Sequence, residues 1–189
     1  MPNVSPTVIE FSSTETAFAS ILLARTEQGV CAILLGDTAS ELYADLQTRF
    51  PKAHLLENKQ ALAAWLENVT EFLAAPLTPL HFPLDIHGSD FQKSVWAILR
   101  SIPVGGTLSY SDVAELLHKP KAVRAVANAC AANPLALAIP CHRILRADGG
   151  ISGYRWGVER KRALLAKEQQ ARQNRIINQP ADHIVHKDL

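Results

Sequence analysis

The chain has 189 residues, 48% hydrophobic and 20% charged, with a mean hydropathy of +0.02; this globular composition suits one ordinary domain or two small ones and excludes a wholly disordered chain. The net charge of +1 is unevenly divided, with 4 Lys and Arg against 10 Asp and Glu in residues 1–88 and 15 against 8 in residues 89–189. No apolar run approaches the roughly 18 residues of a membrane helix. Met1–Ser5 has neither the basic nor the apolar region of a secretory signal. Together with three cysteines that form no CxxC pair, this predicts a cytoplasmic protein without membrane contact, disulfide framework or zinc ribbon. The basic half fits either a polyanion-binding surface or a solvated face.

Residues 7–12, 18–25 and 30–35 read as strands, with Thr26–Gly29 as a turn. Thr38 and Glu41 form a capping-box pattern ahead of Leu42, Leu46 and Phe50 at helical spacing, and Pro51 closes that helix. A second helix is expected from about Asn58 to Ala74, with Ala61, Leu62, Trp65, Leu66, Val69 and Phe72 as its apolar face. Residues 1–75 are therefore expected to form a small α/β domain. They hold no chemical constellation, and Cys31 reads as a small buried hydrophobe. Residues 76–88, with Pro76, Pro79, Pro83 and Gly88, read as a linker.

A second part, 89–168, opens on another capping box, Ser89 to Gln92, ahead of Phe91, Val95, Trp96, Ile98 and Leu99. Ser109 is placed to cap a short helix ending at Leu117, and His118-Lys-Pro120 interrupts it. A helix from about Lys121 to Ala132 follows, rich in alanine and carrying Lys121 and Arg124. The two short helices fit a helix-turn-helix, or equally a plain structural hairpin. Residues 169–189 form a polar tail with little apolar area, expected to fray or be disordered.

Residues 139–143 read Ile-Pro-Cys-His-Arg. A cysteine beside a histidine in a basic stretch is a candidate activated thiol, because cations favour the thiolate nucleophile. Arg143 and Arg146 are expected to supply that field, and Glu168 could orient His142. The alternative is an inert buried cysteine.

The segment Asn133-Pro-Leu-Ala-Leu-Ala-Ile-Pro-Cys-His-Arg-Ile144 resembles the active-site signature of the O6-alkylguanine-DNA alkyltransferases. Ser109-Tyr110, Lys121-Ala-Val-Arg124 and Gly153-Tyr-Arg-Trp-Gly157 match that family in order and spacing, strongly over 89–168. The likeness is greatest to the C-terminal half of the Ada-type bacterial members. The resemblance implies a ribonuclease H-like N-terminal α/β domain and a mainly helical C-terminal domain with a helix-turn-helix. It implies a monomer that repairs double-stranded DNA containing O6-alkylguanine, without a cofactor, by flipping the nucleotide and taking the alkyl group onto Cys141 once.

By the same resemblance Asn133, His142 and Glu168 form a hydrogen-bonded relay in which His142 activates Cys141 through a water. Arg124 fills the gap left by the flipped base, and Tyr110 displaces the nucleotide and donates to the guanine. Lys121 and Arg143 join the DNA contacts. The carbonyls of Cys141 and Ile144, the Arg155 N–H and the Tyr154 wall close the substrate pocket. Some family members carry zinc in the N-terminal domain, but only Cys31 lies there, so no metal is expected. Ala136 stands where some members have proline. A damage sensor without transfer would lack the acceptor cysteine. A transcription factor would need base-reading side chains on the second short helix, where residues 122–132 offer only Arg124 and Asn128.

Overall fold

The computed structural model describes residues 7–178. Strands β1 (Val8–Glu15), β2 (Ser20–Arg25) and β3 (Val30–Gly36) form an antiparallel meander. Helix α1 (Ala39–Arg49) follows, capped by the Thr38 side chain on the Glu41 N–H. A fourth strand, β4 (His54–Glu57), runs parallel to β1 and completes the sheet order β3-β2-β1-β4. The sequence reading missed β4 because its four residues are half-exposed and show no alternation. Helix α2 (Lys59–Ala74) begins on the Asn58 cap.

The sheet is covered on both faces. On β2, Leu22 and Ala24 pack with Leu42 and Leu46 of α1. Ile21 and Leu23, pointing the other way, join Leu62, Leu66, Val69 and Phe72 of α2. That second core does not stop at residue 75. It continues through Val95, Trp96, Leu99, Val126 and Leu135 to Cys141 and Leu164.

The outer edge of β3 joins the two parts. The Val30 N–H donates to the Pro83 carbonyl (2.8 Å) and the Asp85 N–H to the Val30 carbonyl (2.9 Å). Further along, Ile33 donates to Pro134 and Ala136 to Ile33, each at 2.9 Å. An otherwise open edge is thereby closed. The Ala136 bond is one that a proline could not make.

The C-terminal part contains α3 (Asp90–Ser101), α4 (Tyr110–Leu116) and α5 (Val123–Ala132). The capping boxes at Ser89 and Ser109 both form. Trp96 Nε1 donates to the Ala129 carbonyl (2.9 Å), tying α3 to α5. Two two-residue strands, β5 (Leu108–Ser109) and β6 (Ile144–Leu145), pair in parallel. Helix α6 (Val158–Asn178) runs ten residues past Glu168. The stretch after Gln169 is therefore helical as far as it is described, because Gln, Ala and Arg propagate a helix without packing. Residues 179–189 of the expected tail lie outside the described residues. No described helix is long and apolar enough to cross a membrane.

Candidate active site

Asn133 ends α5 and turns the chain back on itself. Its amide nitrogen donates to the Ile139 carbonyl (2.8 Å) and to Cys141 Sγ (3.3 Å), and its amide oxygen accepts from the Leu135 N–H (2.8 Å). This clasp holds a loop in which Leu137 adopts φ +69°, a conformation that costs a non-glycine residue. Pro140 then leads into one tight helical turn, Cys141–Arg143. The β5–β6 pair fixes the end of that turn beside Tyr110, the first residue of α4.

Cys141 lies at the floor of a pocket of about 450 Å³ lined by Tyr110, Cys130, Ser152, Tyr154, Arg155 and the small residues Ala127, Ala131 and Gly153. The Tyr110 and Ser152 hydroxyls are 2.8 Å apart. Burial raises the Tyr110 pKa, against the hydrogen bond to Ser152, so this phenol keeps its proton at neutral pH.

Behind the pocket, His142 Nε2 and Glu168 Oε1 are 2.8 Å apart, with the two side chains 0% and 1% exposed. Burial holds His142 below the usual histidine range, outweighing the carboxylate, so the ring is neutral at pH 7. Its Nδ1 is buried without a protein partner. Burial works to raise the Glu168 carboxyl, but hydrogen bonds from His142 and Arg143 overcome this and hold it at about 2. A carboxylate on Nε2 leaves Nδ1 free as a proton acceptor.

The thiol is not acidic at rest. Burial pushes Cys141 up to about 11, with the Asn133 hydrogen bond and the Lys161 charge pulling the other way. Cys31 and Cys130 are pushed to about 12, also by burial. The field expected from Arg143 and Arg146 is spent elsewhere. Arg143 is buried, with its guanidinium on Glu168 (2.9 Å) and on the Ile102 carbonyl (2.5 Å). It is therefore not presented to DNA, and its expected place among the DNA contacts is corrected to an internal brace. Arg146 faces Asp148 on the surface at 3.4 Å.

The structure brings Tyr110, Cys141, Tyr154 and Arg155 to one pocket, with Asn133 buried on the sulfur and His142 and Glu168 paired nearby. Asn133 touches the sulfur rather than His142, so it stands beside the pair and not within a single chain of hydrogen bonds. Ile144 is fully buried and does not line the pocket; its carbonyl accepts from Lys161 Nζ (2.5 Å). Lys121 and Arg124 lie outside the pocket, exposed at the start of α5.

Lys161, wholly buried with Nζ also 3.4 Å from Ser152 Oγ, escaped the sequence reading. Its signal was positional: it shares a helical face with Leu164, Leu165 and Glu168, where a lysine is out of place. Cys130 and Ser152, also missed, enter only through the folding of the loops. Among the described residues no group of three or more His, Cys, Asp or Glu could hold a metal ion.

A family profile described as the DNA-binding domain of 6-O-methylguanine DNA methyltransferase matches residues 90–170. The chain is 48% identical over 163 residues to the bifunctional transcriptional activator/DNA repair enzyme Ada of Escherichia coli, covering 85% of this chain and 45% of that protein. It is 40% identical to the inducible methylated-DNA–protein-cysteine methyltransferase of Bacillus subtilis, covering 69% of this chain and 73% of the relative. The crystal structure of Mycobacterium tuberculosis OGT in complex with DNA superposes with a TM-score of 0.74 at 30% identity, covering 86% of this chain and 94% of that one. The chain belongs to the methylated-DNA–protein-cysteine methyltransferase family. It spans about half the length of the Ada proteins it matches.

Proposed function

We propose that this protein repairs O6-alkylguanine in double-stranded DNA by moving the alkyl group irreversibly onto Cys141. The observation that carries the reading is the placement of the sulfur. It sits in the pocket, on an amide donor, beside a neutral histidine whose outer nitrogen is committed to a buried carboxylate.

O6 of guanine lies in a paired and stacked base, so the nucleotide must leave the helix to reach Sγ. Tyr110 and Tyr154 flank the entering base. The thiol proton passes to His142 Nδ1 through one water as sulfur attacks the alkyl carbon. The S–C bond forms as the C–O6 bond breaks. The departing guanine leaves as an anion that the neutral Tyr110 phenol stabilises by donating a hydrogen bond, and it then takes one proton from water while His142 gives its proton back to water, so protons balance. The product is a thioether that no group in the pocket can cleave, and each molecule acts once. Arg124 fills the vacated stack and Lys121 adds a phosphate contact. Arg155 closes the pocket rim through its N–H.

The helix-turn-helix reading is supported by the consecutive short helices α4 and α5, with Lys121 and Arg124 exposed at the junction and first turn of α5. A ribonuclease H-like N-terminal domain, taken as 1–75 with 76–88 as connector, is supported by the antiparallel β1–β3 meander and the parallel β4. The protein acts as a monomer in the cytoplasm.

Cys141→Ser tests the acceptor. The variant should bind O6-methylguanine duplex as wild type does and transfer nothing. Retained transfer would move the acceptor to Cys130 or Cys31.

A further inference from the structure

One wall of the pocket, joined to Tyr110 through Ser152, is a loop without regular secondary structure, residues 146–157. It contributes Ser152, Tyr154 and Arg155 to the lining. Left-handed glycines stand near its two ends, Gly149 at φ +77° and Gly157 at φ +100°. A Cβ on Gly149 or Gly153 would meet no heavy atom within 4 Å, so little packs against the loop there. Such a segment needs something to hold it.

Part of the hold comes from the N-terminal part. Asp45 Oδ1, on α1, accepts from Arg155 Nη2 at 2.7 Å across 110 residues of sequence. Asp45 is itself pinned, because Arg49 one turn along α1 binds its other oxygen at 3.1 Å. A second pair, Asp37 with Arg160, stands just beyond the loop's end. Arg160 also donates to the Trp156 carbonyl (2.9 Å), so this pair reaches the loop backbone. Neither carboxylate touches the pocket.

We infer that Asp45 and Asp37 are positioning residues for alkyl transfer: through Arg155 and Arg160 they hold the pocket's loop wall in its reactive place. The inference rests on the alkyl-transfer reading above. It makes the N-terminal part, which supplies no reacting group, a determinant of rate. These are partly exposed pairs, with Arg155 36% and Asp45 26% exposed. Each can bias the loop by at most about fivefold, and salt should screen them.

The test uses single-turnover transfer from the free base O6-methylguanine, which removes DNA and its own salt dependence from the measurement. Asp45→Asn and Asp37→Asn should each slow transfer by about three- to fivefold, and the double variant by about tenfold. Asp45→Glu should recover most of the rate. In the wild type, 1 M NaCl should slow transfer to near the double variant's rate, and the double variant should not respond to salt. Asp37→Asn should melt with the wild type, because Asp37 is 79% exposed. Wild-type rate and salt response in the double variant would overturn the latch. A wild-type protein that takes no alkyl group from either free base or duplex would instead overturn the reading on which the latch rests.

Discussion

The neutral His142 ring with an unpartnered Nδ1 has a kinetic consequence. A thiol at about 11 is almost wholly protonated near neutrality. If His142 takes the proton as sulfur attacks, transfer should be nearly flat between pH 7 and 9, above the histidine's own titration. In His142→Gln only the preformed thiolate can react. The rate should then fall by about a hundredfold at pH 7 and climb about tenfold per pH unit. Single-turnover rates across that range check this, and a flat profile in the variant would remove His142 from the proton path. At this scale the sequence was legible where chemistry lies in neighbouring letters, as in Cys141-His142, and Glu168 was reached through the family resemblance. It was not legible for charges whose partners are far along the chain. Arg143 reads as a free cation and is a buried brace, whereas Lys161, whose helical phase alone hinted at burial, is held on the Ile144 carbonyl.

Helix α5 divides its labour by position. Ala127, Cys130 and Ala131 line the pocket, while Arg124 stands exposed at the first turn. On the proposed reading Arg124 plugs the stack, and it would then act on the flipped state. Its loss leaves an unstacking cost of a few kcal/mol without compensation. Arg124→Ala should therefore cut transfer from duplex DNA by about a hundredfold and leave transfer from the free base within about twofold. Arg124→Lys should recover little, since it lacks the planar fork. Equal losses on both substrates would show a folding defect instead of a plug. The capped helices α1 to α4 were readable because caps and apolar phase are local signals. Strand β4 and the β5–β6 pair were not, because four or two residues carry no period and are defined by the partner they find.

Over the whole molecule, the charge division between the two halves has a use inside the protein. Asp45 and Asp37 meet Arg155 and Arg160 across the chain, so part of the C-terminal positive charge is neutralised internally. The shared core and the Pro83 and Pro134 contacts to β3 bind the halves further, and of these Pro83 lies in the stretch 76–88 that the sequence reads simply as linker. The buried His142–Glu168 pair also contributes to the loss of stability in acid. His142 is held below its ordinary 6.5, so the unfolded chain binds the proton first, and stability is lost as pH falls below about 6.5. Glu168 is held at about 2 against an ordinary 4.5, so a second loss follows as pH falls from about 4.5 toward 2. Melting temperature should drop in two stages on acidification, and His142→Phe should remove the first. An unchanged first stage in the variant would assign it to another group. The central claim, one irreversible transfer to one sulfur, is tested most directly by intact mass before and after incubation with O6-methylguanine duplex, followed by peptide mapping. The account predicts a gain of one methylene per molecule, on Cys141 alone, with no further gain at excess substrate. No gain, or a methyl group on Cys130 or Cys31, would contradict it.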